Sequence, residues 1–165
     1  MKSKPVRIVL GAVLVLLMVA LGFWRDWMSV NINYQISFLT KGWENNPAAP
    51  SIQRLADGYE AMTLWRFKWL LTLATAVVYC AMTAAIGYLV FLEKKFVRLT
   101  LWAFGIITVL SGAFYVLGSL FSATGMGYFF ARAFMDFVQS PLVLMVLIPA
   151  YLLGRSGMLN TKPQQ

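Results

Sequence analysis

Long uncharged apolar runs are the feature that most limits how this sequence can fold. Residues 69–92 and 99–121 contain no Asp, Glu, Lys or Arg. A helix needs about 20 consecutive apolar residues to cross a hydrocarbon core about 30 Å thick. Both runs therefore predict transmembrane helices. The whole chain, with 60% hydrophobic and 12% charged residues, also lies outside the range of soluble globular proteins.

A first span is predicted over residues 8–24, an uncharged run of 17 residues that follows Lys4 and Arg7. The same layout fits a secretory signal peptide with a small-residue cleavage site at residues 20–22. The run continues into the aromatic pair at residues 23–24, which is typical of a retained helix that ends at the membrane interface. We therefore expect a retained span.

A fourth span is harder to place, because the last uninterrupted apolar run is only 12 residues long, or roughly 18 Å of helix. The segment before it is apolar apart from Arg132 and Asp136. The span is therefore predicted over residues 128–153, with both charges near its outer boundary. Pro141 and Pro149 then lie inside the helix, which membrane helices tolerate as kinks.

The segment between the first two spans, residues 25–68, carries nine charges and is predicted to be a long exposed loop on the outer side. Its length favours some secondary structure of its own. Ser51 provides a helix start signal for a short amphipathic helix. The apolar residues at helical spacing after it are Ile52, Leu55, Tyr59 and Met62.

The distribution of basic residues predicts the orientation. Of the 14 Lys and Arg residues, 8 fall in segments on the same side as both termini and 6 fall in the outer segments. The positive-inside rule then favours both termini in the cytoplasm. The predicted fold is an all-α integral membrane protein with four transmembrane helices. The net charge of +8 is explained by this orientation signal, so nucleic acid is not an expected partner.

The residue inventory argues against an enzyme. There is no histidine, and Cys80 is the single cysteine. Cys/His zinc sites, bis-His haem ligation and His-activated serine or cysteine nucleophiles are therefore excluded within one chain. Cys80 is surrounded by apolar residues and is expected to be a packing residue. We expect no catalytic residues, no metal and no cofactor.

Arg132 and Asp136 are the strongest candidates for a functional site, because residues four apart share one helix face and can form an ion pair. Charges kept within a membrane span usually face protein rather than lipid. A partner-binding site is therefore predicted here, together with Arg25 and Asp26 at the outer end of the first span. The alternative is an interfacial ion pair with a structural role only.

Asn31 and Asn33 follow in a stretch where polar and apolar residues alternate. In an extended segment, residues two apart point to the same side. Their amides are then candidates for binding the backbone of a partner. The alternative is a simple cap on the membrane interface.

Several short motifs of this chain resemble a known group. Residues 128–134, the Ser-Pro-Leu at 140–142 and the Leu-Ile-Pro-Ala at 147–150 resemble the C-terminal signature of small bacterial membrane proteins of the exosortase F system-associated type. The Asn-Ile-Asn at 31–33 and the entry to the second span at 68–72 are similar to related four-helix proteins. This chain differs in having a single arginine at position 132 and a longer outer loop.

The resemblance implies an accessory protein in the bacterial inner membrane, associated with an exosortase that processes sorting signals. The predicted function is therefore a non-catalytic accessory or scaffold subunit, whose partners are the lipid bilayer and another membrane protein. The alternative is a small oligomeric transporter or lipid-handling protein. A transport path normally places charged groups at mid-membrane depth, and the first three predicted spans contain no Asp, Glu, Lys or Arg.

Overall fold

The computed structural model describes residues 4–121 and 124–156, and every regular element in these two ranges is helical. The two chain termini, residues 1–3 and 157–165, which are predicted to be cytoplasmic, lie outside the described residues. The helices are α1 (Lys4–Lys41), α2 (Pro50–Leu55), α3 (Ala61–Phe91), α4 (Lys94–Leu120), α5 (Thr124–Val138) and α6 (Leu142–Arg155).

Three of these helices, α1, α3 and α4, are long and apolar enough to cross a membrane. The pair α5 and α6 adds a fourth crossing if the two are counted as one broken span. The described chain is therefore all-helical, with three, or up to four, segments long and apolar enough to span a membrane. It divides into two compact units: one comprises residues 20–77, and the other comprises residues 4–19 together with the described residues from 78 onwards.

In the unit of residues 20–77, the chain does not leave the helix after Trp24, and the prediction of an exposed loop over residues 25–68 is wrong. Helix α1 continues to Lys41. No glycine or proline interrupts it after Gly22 until Gly42, which adopts a left-handed φ of 63° and ends the helix as glycine commonly does.

A buried stripe explains why this polar stretch remains helical. The stripe follows the helical spacing of i, i+3, i+4, i+7 and i+8, and its members are Met28, Asn31, Ile32, Gln35 and Ile36, all of them buried or half-buried. The two isoleucines pack with Ile52, Ala56 and Leu64. The chain from α2 to the start of α3 therefore folds back on α1 and forms a small apolar core.

The predicted amphipathic helix near Ser51 is present, but it is shorter than predicted. Helix α2 begins at Pro50, a residue well suited to the first turn of a helix, and ends at Leu55. Ile52 is buried, whereas Leu55 is 69% exposed. Tyr59 lies beyond the end of α2, and Met62 lies in the first turn of α3. Both are exposed.

In the second unit, α5 lies antiparallel against α4. A Cβ atom on Gly127 would lie 2.5 Å from the Cα of Gly118, so only glycine allows this approach. One helical turn further along, the Ser111 hydroxyl donates a hydrogen bond to the Ala131 carbonyl at 2.7 Å. The close contact of α4 with α5 thus uses small residues at Ser111 and Gly118, whereas a Cβ atom on Gly112 would meet nothing within 4 Å.

The prediction of one helix over residues 128–153 is wrong. Helix α5 ends at Val138, α6 begins at Leu142, and the two are bent by 70°. Pro141 lies in the break. Its ring removes one helical N–H donor and clashes with the carbonyl one turn earlier, and the chain turns there instead of kinking within one helix. Pro149, in contrast, lies inside α6 as expected.

Candidate functional site

Arg132 and Asp136 form the predicted ion pair on α5. The Arg132 Nε atom lies 3.5 Å from an Asp136 carboxylate oxygen, and the two side chains are 56% and 51% exposed. The pair is therefore on the outer surface of its unit. Ala131, Met135 and Val138, on the opposite side of α5, are buried.

The pair lies beside the middle of α4. Ala131, the neighbour of Arg132, is bonded to Ser111, close to the middle of the uncharged stretch 99–121. Roughly 15–18 Å of helix lies on either side of Ser111 in that stretch. Asp136 lies one turn further from the α4–α5 turn. The prediction of a position near the outer membrane boundary assumed one straight helix, whereas α5 runs beside α4, and the depth of the pair in a membrane stays a prediction.

The face around the pair is otherwise apolar or small. Phe129 is 67% exposed, and Gly125 and Ala133 are also exposed. These residues and the ion pair follow each other at helical spacing along α5. We call Gly125, Phe129, Arg132, Ala133 and Asp136 the α5 face.

Arg25 and Asp26 are neighbours on α1 and interact directly. The Arg25 Nη2 atom lies 2.5 Å from Asp26 Oδ1, and the side chains are 14% and 65% exposed. Because the arginine is mostly covered and the aspartate is not, the pair presents a carboxylate to its surroundings. It belongs to the unit of residues 20–77, and its role in partner binding stays a prediction.

Asn31 and Asn33 are helical, which corrects the extended segment that the alternation indicated. At 100° per residue, residues two apart in a helix point in nearly opposite directions. Asn31 is buried. Its side chain accepts a hydrogen bond from the Ala49 N–H at 2.7 Å and donates one to the Trp27 carbonyl at 2.8 Å. The backbone that Asn31 binds is this chain's own, and binding of a partner's backbone stays a prediction. Asn33 accepts a hydrogen bond from the Lys68 ammonium at 2.8 Å.

A network of amide side chains that the sequence analysis missed surrounds Asn31. The Asn46 amide donates to the Gln35 side-chain oxygen at 2.6 Å. Gln53 donates to the carbonyls of Asn46 and Ala48 at 3.2 and 2.6 Å. These bonds fasten the segment between α1 and α2 to α1. The sequence does contain a signal for this network, because Asn31 and Gln35 are four residues apart, each next to an isoleucine. The alternation of polar and apolar residues in the same stretch indicated an extended segment instead.

A second cluster that the sequence did not reveal ties the α3–α4 turn to α6. The Tyr151 hydroxyl donates to a Glu93 carboxylate oxygen, and Arg155 lies 3.3 Å from the other oxygen. The Tyr151 ring also packs between Phe91 and Phe96, with centroid distances of 5.0 and 5.3 Å. Tyr151 and Arg155 are four residues apart on one helix face, but nothing in the sequence links them to Glu93.

The remaining polar groups show no arrangement typical of catalysis. Cys80 is half-buried on α3. In residues 4–121 and 124–156, no three acidic or cysteine side chains lie close enough to hold a metal ion. The buried hydroxyls of Thr75, Thr100 and Ser111 all donate to backbone carbonyls. This is the usual way for such side chains to be satisfied in membrane helices.

The described chain thus belongs to the class of helical proteins that have several helices long and apolar enough to span a membrane. Comparisons of the chain with protein-family models, with curated proteins and with solved structures found no match.

Proposed function

We propose that this protein is a non-catalytic accessory or scaffold subunit of a bacterial inner-membrane system, and that it acts by binding another membrane protein through the α5 face. In this proposal α5 and α6 together form a fourth, broken span, and both termini are cytoplasmic. The partner system suggested by the sequence resemblance is exosortase-associated protein sorting.

One observation carries the proposal: the Arg132–Asp136 pair is exposed beside the middle of α4. Placing a charged residue at the centre of a membrane helix costs about 3 kcal/mol on insertion scales. Pairing lowers this cost only in part, because both side chains remain more than half exposed. A neighbouring protein surface would shield the pair from lipid, which is how charges within membranes are usually accommodated.

A small transporter or lipid-handling protein remains the second candidate, but the structure offers it less support. A transport path would place charged groups in the interior, and no Asp, Glu, Lys or Arg residue of the described chain is buried. The charges at membrane depth are instead on an outer face, where they favour contact with another protein.

Co-purification in mild detergent tests the proposal. Affinity-tagged protein should retain a membrane partner. Arg132→Ala or Asp136→Ala should reduce its recovery at least about tenfold, because removing one member of a desolvated pair leaves the other uncompensated. Val109→Ala, which changes an exposed apolar residue of α4, is the matched control and should have no effect.

Two results would contradict the proposal. Either the parent protein carries with it neither a different membrane protein nor a co-expressed, untagged copy of itself, or both alanine variants retain the partner as well as the parent does. Accumulation of each variant in the membrane must be measured in parallel, so that loss of folding is distinguished from loss of binding.

A further inference from the structure

We infer that the surface that covers the α5 face is the α5 face of a second copy of this chain. The inference rests on the proposed function, in that the same face mediates contact, but it names the partner. The scaffold would then be a two-fold symmetric dimer with Arg132 and Asp136 at its centre.

Charge complementarity carries the inference. The α5 face has one positive and one negative side chain and no net charge, so it is complementary to itself. A partner of another kind would need its own pair of opposite charges at the same spacing. A second copy has that pair by necessity, because a two-fold interface brings the same patch together from both subunits.

The spacing of the two charges fits a dimer within one membrane. Copies inserted in the same orientation are related by a two-fold axis along the membrane normal, so their α5 helices run side by side in the same direction. Arg132 of one copy is then offset from Asp136 of the other by one helical turn, about 6 Å. An arginine spans this offset within its own helix, where the two groups are 3.5 Å apart. Parallel coiled coils use similar offset ion pairs between helices.

The remaining residues of the α5 face permit close approach. Gly125 and Ala133 are exposed and have little or no side chain, and small residues are what membrane helix interfaces use. Phe129 lies one turn from each of them and is exposed. It would provide apolar area next to the central charges.

Disulfide cross-linking in native membranes tests the inference. The single native cysteine is first removed by Cys80→Ala. Ala133→Cys then places a thiol between the two charges, and Val109→Cys places one on an exposed position of α4 as the matched control. On mild oxidation, Ala133→Cys should give a species of twice the monomer mass, and Val109→Cys should not.

Charge exchange provides a second readout, using two differently tagged copies of the chain. Arg132→Asp and Asp136→Arg should each weaken self-association at least about tenfold, because positions 132 and 136 of the two copies then carry like charges. Co-expression of the two variants should restore a mixed dimer. The exchanged double variant, Arg132→Asp with Asp136→Arg, should dimerise like the parent, which controls for loss of the pair within the helix.

The outcomes separate this inference from the proposed function. Cross-linking of Ala133→Cys to a different polypeptide would overturn self-association and leave the scaffold proposal intact. Absence of any cross-linked species from Ala133→Cys, with charge variants that behave like the parent, would overturn self-association, and the co-purification experiment would then decide the scaffold proposal separately.

Discussion

At the scale of the residue, two glycines set the distance between α4 and α5. Gly118 and Gly127 face each other so closely that a methyl group on Gly127 would lie 2.5 Å from the Gly118 Cα and 2.7 Å from the Phe114 carbonyl oxygen. Both of these atoms belong to the backbone and cannot rotate away. The packing of Phe114 on Phe134, with ring centroids 5.5 Å apart, depends on the same close approach.

Gly127→Ala should therefore force the two helices apart. We expect a loss of about 1–3 kcal/mol, the usual effect of overpacking, measured as a lower midpoint of thermal unfolding in detergent. Gly125→Ala is the matched control on the same helix, because its Cβ would meet nothing within 4 Å. A Gly127→Ala protein as stable as the control would show that the helices are not packed at this distance.

At the scale of the element, the C-terminal half of α1 is stabilised by the chain segment that folds onto it. Asn31 is central to this arrangement, because it satisfies the N–H of Ala49 just before α2 begins. A buried N–H without a partner costs about 1–3 kcal/mol. The position that sequence alternation marked as a partner-binding residue therefore has a structural role in its own unit.

Asn31→Ala should destabilise the segment between α1 and α2 by about 1–3 kcal/mol. The measurement is the rate of limited proteolysis after Lys41, which should rise relative to the parent. Asn45→Ala, a change of an exposed asparagine in the same segment, should leave the rate unchanged. If Asn31→Ala kept the parental rate but lost a membrane partner, the partner-binding interpretation would be preferred.

At the scale of the whole molecule, the open question is how many times the chain crosses the membrane. Helices α1, α3 and α4 each qualify alone, whereas α5 and α6 qualify only as a bent pair. Helix α6 has 14 residues, or about 21 Å, which is too short to cross by itself. The side of the membrane on which the C-terminus lies therefore decides whether the pair crosses.

Labelling of single cysteines in a Cys80→Ala background measures on which side of the membrane each position lies. With four spans and a cytoplasmic N-terminus, an impermeant maleimide applied to intact spheroplasts should label Asn45→Cys. It should not label Lys94→Cys or Gln165→Cys until the membrane is permeabilised. Labelling of Gln165→Cys from outside would contradict the four-span arrangement and would mean that α5 and α6 do not cross as a pair.

The sequence alone determined the features that depend on neighbouring residues. Apolar runs predicted α3 and α4 because the transfer of a helix into lipid is nearly a sum over its residues. The spacing of Arg132 and Asp136 predicted their ion pair because four residues make about one helical turn.

Only the tertiary structure decided what depends on residues far apart in the sequence. Helix α1 extends to Lys41 because its buried amides bond to a segment some 15 residues later. The level of Arg132 beside α4 follows from the contacts of Ala131 with Ser111 and of Gly127 with Gly118. The contacts between α4 and α5 pair residues by shape across a turn and leave no periodic pattern in either helix. For this reason the ion pair could be predicted from the sequence, and its position beside the middle of α4 could not.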